Sequence, residues 1–466
     1  MKKIITFILV VSSIYSYSQE KDTIATFKKR VLETAEIDFL SSYYSQKGIH
    51  SSVGGGIGSE QLSDFASNIV IAMPLNDDDV LTIDSGISAY SSASSSNINP
   101  FDANPKNATN DLYTSPWQAS SGASRSDQLV AISANYSHSS DDRNLVWNAD
   151  VAFSNEYDYT SIGFGGGITK LFNDKNSELS LKVNAYLDQW RPIYPTELNE
   201  YGKHGSNFQN TGYFNGVTVY DQNGNPTTNY LPNKFSQWDN LGRNSYAASI
   251  GFSQVLTKKL QFSAFFDILK QDGVLSTPYH RIYFADKTNF YIGNASSISN
   301  YENPSNSDVY RLADDIERLP NSRFKFPIGA RLNYYINETF VLRTYYRYYS
   351  DNWGLKAHTA SIELPIKLSD KFTVFPMYRY YIQTETKYFA PFEKHLSTEQ
   401  YYTSDYDLSS FTANQYGFGV SYTDIFTKGK IWKFGIKNID FRFNHYNRND
   451  GLNANIASIA FKFVKQ

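Results

Sequence analysis

The sequence between residues 323 and 383 alternates apolar and polar side chains through four strand-length runs, and connectors of only a few residues join the runs. Successive side chains of a β-strand point to opposite faces, so this alternation predicts an antiparallel meander. In the first run, one predicted face is apolar and consists of Phe324, Phe326, Ile328, Ala330, Leu332 and Tyr334. Similar runs recur over nearly the whole chain, which indicates an all-β fold.

The N-terminus has the pattern of an export signal. Two lysines precede an apolar stretch from Ile4 to Val11, and Ser16 and Ser18 are small residues placed for cleavage. We therefore predict a signal peptide over residues 1–18 and an exported protein.

Residues 19–35 follow the signal, and four of their apolar side chains recur at helical spacing: Ile24, Phe27, Val31 and Leu32. This spacing predicts a short N-terminal periplasmic helix. The remaining residues, 36–466, are predicted to form one domain of about sixteen strands. We expect the strands to begin near residues 36, 62, 80, 127, 144, 159, 178, 245, 260, 323, 339, 355, 372, 415, 437 and 454.

The lengths of the connectors distinguish between kinds of all-β fold. Connectors after the even-numbered predicted strands are short, whereas several after odd-numbered strands are long, at about residues 93–125, 192–243, 273–322 and 386–412. Outer-membrane barrels have short periplasmic turns and longer external loops, and an even strand count places both termini in the periplasm. We predict a transmembrane antiparallel β-barrel in the outer membrane of a Gram-negative-type bacterium. A large secreted sandwich or propeller is the alternative.

The composition excludes several classes of membrane protein and of functional site. No run after the signal approaches the roughly 20 apolar residues that a spanning helix needs. Aromatic residues make up 16% of the chain, which suits the aromatic girdles of a barrel. The chain has no cysteine, which excludes disulfides, thiolate metal sites and iron–sulfur clusters. We predict no cofactor of its own, and the net charge of −3 gives no basic footprint for nucleic acid.

Several unusual strings occur in order along the chain, among them PLNDDDVLTIDSGISAYSSASSSNINPFD, NYSHSSDDRN, EYDYTSIGFGGG and YPTEL. In these segments the chain resembles the exported barrel family catalogued as domain of unknown function 3570 (DUF3570). The resemblance implies an outer-membrane protein without an assigned activity and offers no established catalytic residues. It also implies gene neighbours that encode a flavin-attaching transferase, a small lipoprotein and a thioredoxin-like protein, and hence a role in an extracytoplasmic redox system.

Asp77, Asp78 and Asp79 form a weak candidate for a cation site. Clustered carboxylates bind hard cations such as calcium. Asp and Asn also favour turn backbones, and these three residues fall in the predicted turn between the second and third strands. We prefer the turn interpretation and predict no metal site.

An enzyme in a barrel would need a base beside a nucleophile or an activated water. His138 lies in a predicted turn near serines and aspartates, and His50 follows the first strand. Adjacency in a turn does not create the geometry of a catalytic triad. The glycine runs at 54–56 and 165–167 lack the ending of a phosphate-binding loop and fit close packing in strands. We predict that the protein is not an enzyme.

Charged residues at the positions between the apolar ones are expected to face the barrel interior. The acids are on early strands: Asp84, Asp150, Asp188 and Asp267. The bases are on the opposite arc: Arg331, Arg343, Arg347, Arg379 and Arg442. Such opposed charges would set up a transverse field across a wet lumen. The alternative is an interior filled by salt bridges and tyrosines, with Tyr345, Tyr349 and Tyr381 as packing.

The sequence therefore predicts passage or binding of small polar solutes through a charged lumen, with a folded-in external loop contributing to selectivity. A non-transporting barrel that scaffolds an extracytoplasmic redox assembly is the second hypothesis, and a barrel hydrolase is the third. The expected partners are outer-membrane lipid and the barrel assembly machinery. The second hypothesis adds a periplasmic or surface redox protein or lipoprotein.

Overall fold

The structure, a computed structural model, describes residues 30–92, 94, 121, 126–191, 193, 241–277, 279–286 and 315–466. The first strands are β1 (Glu36–Gly48), β2 (Glu60–Pro74), β3 (Asp79–Ser92), β4 (Ser126–Ser139), β5 (Leu145–Asn155), β6 (Tyr159–Phe172), β7 (Ser177–Trp190), β8 (Leu241–Thr257) and β9 (Leu260–Gly273). The next are β10 (Arg281–Ile282), β11 (Asp315–Ile316), β12 (Ser322–Lys325), β13 (Ile328–Tyr335), β14 (Val341–Ser350) and β15 (Lys356–Glu363). The last are β16 (Ile366–Lys367), β17 (Phe372–Gln383), β18 (Phe411–Thr423), β19 (Lys430–Ile431), β20 (Phe434–Arg448) and β21 (Asn453–Lys465).

These strands form a closed antiparallel barrel. Each strand pairs with its neighbour in sequence, and β1 pairs with β21 to close the ring. We call each crossing of the wall a span. β12 and β13 both pair with β9 and together form one span. β15 and β16 both pair with β17 and form another. β10 and β11 form a separate two-stranded ribbon, and β19 is a short extension on β20. The ring therefore has sixteen spans. Within the described residues, no helix has both the length and the apolar character to cross a membrane.

Two prolines account for the two interrupted spans. Pro327 lies between β12 and β13, and Pro365 lies between β15 and β16. Proline has no backbone N–H to donate to a ladder, and the regular pairing of the span is interrupted at both of these positions. The carbonyl groups of both prolines still accept hydrogen bonds, from the N–H of Asp267 at 2.9 Å and of Val341 at 3.1 Å.

The barrel wall carries its large apolar side chains on the outside. Exposed aliphatic and aromatic residues recur at every second position, for example Val151 and Phe153 on β5 and Phe441 and Phe443 on β20. Exposed aromatics also occur in the turns, such as Trp432 at one end of the barrel. An apolar band flanked by aromatic residues is the surface of a barrel that lies in a bilayer.

The structure confirms the predicted fold class. The strands predicted near 245 and 415 begin at Leu241 and Phe411, and the other predicted starts agree more closely. Connectors after even-numbered spans are short and define the short-turn end, whereas the opposite, long-loop end carries the long connectors. The predicted signal and residues 19–29 of the predicted helix lie outside the described residues, and residues 31–34 form a bend.

Candidate functional site

Several of the nine charged residues predicted for the interior lie next to exposed apolar residues on the same strand. Asp150, for example, lies one residue before the exposed Val151, and Arg442 lies between Phe441 and Phe443. The structure places the four aspartates on β3, β5, β7 and β9, which we call the early arc of the wall. The five arginines are on β13, β14, β17 and β20, which we call the later arc. Because side chains alternate along a strand, these residues share the inner face of the wall.

Two of the predicted arginines meet at a carboxylate that the sequence prediction did not include. Arg343 on β14 donates from Nη1 to Glu363 Oε1 at 2.9 Å. Arg442 on β20 donates from Nη1 to Glu363 Oε2 at 2.8 Å. Since β17 and β18 separate β15 from β20 in the sheet, the second bond spans two intervening strands on the same side of the wall. Both guanidinium groups also approach the ring of Phe375, at 6.0 Å and 5.0 Å.

Two other arginines of the later strands pack against aromatic rings. Arg331 lies 5.5 Å from the ring centre of Tyr345, and Arg347 lies 5.7 Å from that of Tyr349. Arg379 is opposite Ser361 and Gln415 in the ladders of β17. Tyr345 and Tyr349 thus take the packing role of the alternative interpretation, while the Tyr381 hydroxyl donates to Gln383 Oε1 at 2.6 Å.

The aspartates of the early arc have polar neighbours. Asn68 Nδ2 donates to Asp84 Oδ1 at 2.6 Å, and Tyr159 donates its hydroxyl to Asp188. Lys182 Nζ lies 4.0 Å from Asp150 Oδ1. Asp267 faces inward on β9 between the exposed Phe266 and Ile268.

The predicted segregation of acid and base is therefore incomplete. Lys182 lies among the early aspartates, and Glu363 lies among the later arginines. Both residues lie at inward positions. Opposite charges therefore lie close together on each arc: Lys182 by Asp150, and Arg343 and Arg442 by Glu363.

Gly165 on β6 makes room for two of the inward polar side chains. A Cβ at this position would lie 2.3 Å from Asp150 Oδ2 and 2.4 Å from Asn184 Oδ1. Any larger residue would displace both side chains. The predicted close-packing role of the 165–167 glycine run is confirmed here.

The loops at the long-loop end fold together into a unit that we call the cap, comprising residues 274–277, 279–286, 315–321 and 384–410. Single bridges join Phe284 to His395 and Arg318 to Tyr402. Ile282, Phe284 and Tyr402 form one buried cluster in it. A second cluster joins Leu275 and Leu319 of the cap to Trp353, which follows β14.

The cap lies across the barrel mouth. His280 Nε2, in the loop that follows β9, is 3.1 Å from Ser52 Oγ in the loop between β1 and β2. In the ring of spans, β9 is half-way around from these strands. Tyr406 of the cap also stacks on His50, which precedes Ser52 in the chain, with ring centres 3.7 Å apart. This arrangement matches the expected folded-in loop.

A charged cluster lies where the cap meets the β1–β2 loop. Glu317 accepts hydrogen bonds from the Thr277 N–H at 2.7 Å and the Thr403 hydroxyl at 2.6 Å, and it lies 3.5 Å from His280 Nδ1. Burial raises the pKa of Asp405 to about 6, although attraction to His280 acts in the opposite direction. Burial acts to lower the pKa of His280, but the combined effect of Glu317, Asp405 and Glu60 outweighs burial, and the pKa lies above its ordinary value.

A mouth cavity of about 670 Å³ lies between the cap and the early arc of the wall. Its lining is polar and includes Ser52, Glu60, Tyr90, Asp127, Glu156, Asp158, Tyr159, Trp190, Arg243, Gln271 and His280. Burial raises the pKa of Glu156 and of Asp158, which lie in the turn between β5 and β6. Tyr90 donates its hydroxyl to Glu156, and Trp190 Nε1 donates to Asp158 Oδ2 at 3.3 Å. The cavity has the size and polarity to hold a small polar solute.

The three consecutive aspartates do not converge on one point. Asp77 pairs with Arg30 at 2.7 Å, Asp78 with Arg143 at 2.5 Å, and Asp79 with His138 at 2.6 Å. Asn76 Oδ1 accepts the N–H groups of Asp78 and Asp79. The carboxylates therefore organise the turn and its neighbours, and this favours the turn interpretation.

Sequence reasoning missed Glu363, His280, Glu317 and Asp405. The alternation of β15 would have placed Glu363 inward beside the exposed Ile362. The three cap residues lie in irregular segments without a periodic signal, so only the folded loops reveal their proximity.

A family model described as "Protein of unknown function (DUF3570)" matches residues 6–458. The chain belongs to this family. No curated protein matches it.

Solved structures of outer-membrane channels resemble the barrel at low identity. The TodX monoaromatic hydrocarbon channel deltaS2 mutant is 8% identical, covers 94% of this chain and 91% of its own, and has a TM-score of 0.38. OccK2 (OpdF) of Pseudomonas aeruginosa in complex with glucuronate is 9% identical to this chain. The match covers 94% of this chain and 100% of that one, with a TM-score of 0.36. A BenF-like porin from Pseudomonas fluorescens Pf-5 is 8% identical to this chain. The match covers 92% of this chain and 98% of that one, with a TM-score of 0.35. The likeness is one of overall barrel architecture.

Proposed function

We propose that this protein conducts small polar solutes across the outer membrane of a Gram-negative-type bacterium. Solutes enter through the mouth cavity beside the cap and pass along the charged inner face of the wall. The arginines of the later arc draw the anionic groups of solutes, and the aspartates of the early arc draw cationic groups.

The accessibility of the bonded arginines carries this proposal. The side chains of Arg343 and Arg442 are 49% and 41% exposed although both are bonded to Glu363. In an interior filled by packing, charged side chains of this kind would be buried. Their exposure on the inner face supports a lumen that holds water, which a polar solute needs for passage.

Conductance in a planar lipid bilayer tests the proposal. Purified, refolded protein should produce discrete current steps, whereas the same preparation kept unfolded in urea should produce none. Absence of steps from folded protein would overturn solute passage and favour a non-transporting scaffold. Membrane fractionation and heat-modifiable migration in gels test the outer-membrane location separately. A protein that stays soluble without detergent would contradict that location.

A further inference from the structure

His280, Glu317 and Asp405 approach one another from three separate segments of the cap. One ligand atom from each side chain lies within 4.8 Å of the ligand atoms of the other two. We propose that these three side chains bind a divalent transition-metal cation of the Zn²⁺ or Mn²⁺ type. The inference does not depend on solute passage, because it concerns only the cap.

The orientation of the imidazole favours a metal. His280 Nε2 lies 3.1 Å from Ser52 Oγ, which fixes one side of the ring. Nδ1 then faces Glu317 Oε1 at 3.5 Å, which is long for a hydrogen bond. When Nε2–H donates to Ser52, Nδ1 presents its lone pair toward a carboxylate. Metal-binding histidines are held in this way, with the second ring nitrogen donating to a neighbouring oxygen.

The carboxylates are also held in place by their own hydrogen bonds. Glu317 is only 3% exposed, and Thr277 and Thr403 donate to its two oxygens. Asp405 Oδ1 accepts the N–H of Asp407 at 2.9 Å. A buried carboxylate needs a compensating positive charge, and a divalent cation between two carboxylates supplies it.

The ligand set selects the class of metal. One imidazole nitrogen with two carboxylate oxygens suits Zn²⁺ and Mn²⁺, whereas Ca²⁺ and Mg²⁺ prefer oxygen ligands alone. Zinc binds such ligands at about 2.0–2.2 Å, so the three atoms must approach to about 3.5 Å of one another. Asp405 is the less buried of the two carboxylates, and it supplies this movement if its side chain rotates away from the Asp407 N–H.

A cation at this point would join the loop after β9, the segment after β11 and the loop between β17 and β18. Through Ser52 it would also fix the β1–β2 loop on the other side of the mouth. Because the ligands come from separate segments, binding free energy becomes free energy of cap folding. The cation would therefore lock the cap over the mouth cavity.

Calorimetric titration of the full chain, refolded in detergent and cleared of metal with EDTA, tests the site. We expect one saturable Zn²⁺ site per chain and none for Mg²⁺ over the same concentrations. His280→Gln and Asp405→Asn should each abolish the saturable site, and Ser52→Ala should weaken it by about 10-fold. His445→Gln is the matched control, since this imidazole bonds Asn455 on the wall, and it should bind Zn²⁺ as the wild type does.

Limited proteolysis of residues 384–410 gives a second readout. Zn²⁺ should slow cleavage of the wild-type cap and leave cleavage of the two ligand variants unchanged, with heat-modifiable migration showing that each barrel is folded. If His280→Gln fails to fold, Asp405→Asn decides the result. The proposal is overturned if wild-type protein has no saturable Zn²⁺ site, or if the site survives in a folded ligand variant.

Discussion

The wall and the cap place their large apolar side chains in opposite environments. On the wall, residues such as Ile328 and Phe418 are exposed on the outer surface, and polar side chains occupy the inside. In the cap, Ile282, Phe284 and Tyr402 are almost completely buried. The wall thus needs lipid to cover its apolar surface, whereas the cap builds a small water-excluding core of its own. The two regions should respond differently to the same kind of substitution.

The largest effect is expected in the cap. Trp353 is buried against Leu275 and Leu319, and its Nε1 donates to the Ser322 carbonyl at 3.1 Å. Trp353→Ala should destabilise the cap by about 3–5 kcal/mol, because it leaves a cavity in a small core. Hydrogen exchange should show loss of protection in the cap while the wall stays protected. Trp432→Ala is the control, since this side chain is 94% exposed. Equal loss of protection from exchange in the two variants would contradict a separate buried core in the cap.

A charge on the lipid-facing side of the wall should lower the free energy of unfolding by less than Trp353→Ala does, but it should destabilise the whole barrel. Ile328→Arg places a charge on the outer face of β13 and should cost about 2–4 kcal/mol if the site lies near the bilayer centre. Asn333→Arg, on the inner face of the same strand, should be mild. Phe340, which is 36% exposed, precedes β14 near the short-turn end, so Phe340→Arg should cost less free energy of unfolding than Ile328→Arg. Urea unfolding in lipid vesicles measures all three, and a reversed order for Ile328 and Asn333 would mean a register shifted by one.

Neutralising the later arc should change selectivity more than stability. Replacement of Arg343, Arg347 and Arg379 by Gln keeps hydrogen bonding and removes three positive charges. The early aspartates would then dominate, so the reversal potential in a salt gradient should shift toward cation selectivity. Arg30→Gln, at a turn on the short-turn end, is the control and should leave the potential unchanged. Equal potentials for the wild type and the triple variant would show that these arginines do not line the path.

The smallest effect is expected at the turn between β2 and β3. Substitution of Asp77, Asp78 and Asp79 by Asn removes three partly exposed ion pairs, each worth about 0–1 kcal/mol. The variant should fold with and without calcium. Thermal unfolding provides the measurement, and a large calcium-dependent stabilisation of the wild type that the variant lacks would restore the cation-site interpretation.

The wall could be predicted from the sequence because its information is local. Apolar side chains at every second residue mark the strand and its outer face, so residues such as Asp150 and Arg442 were predicted to face inward from their positions alone. Their partners were not, because the Arg442–Glu363 bond joins residues 79 positions apart. The cap depends even more on distant contacts, since Ser52 and His280 are 228 positions apart. No periodic pattern connects irregular loops, so their convergence became visible only in the folded chain.

The seam between β1 and β21 has a consequence for assembly. Every other ladder of the ring joins spans that follow one another in the chain. At this seam the first span pairs with the last, and Glu36 on β1 contacts Lys437 on β20 from 401 positions away. A slip by one residue would turn Phe461 and Phe463 inward, and the alternation forbids it. A slip by two would preserve the faces, but it would separate Lys462 from Glu36 and Asp38, which lie 2.6 Å and 3.6 Å from it. The apolar outer face therefore disfavours a slip by an odd number of residues at this seam, and the loss of these ion pairs disfavours a slip by an even number.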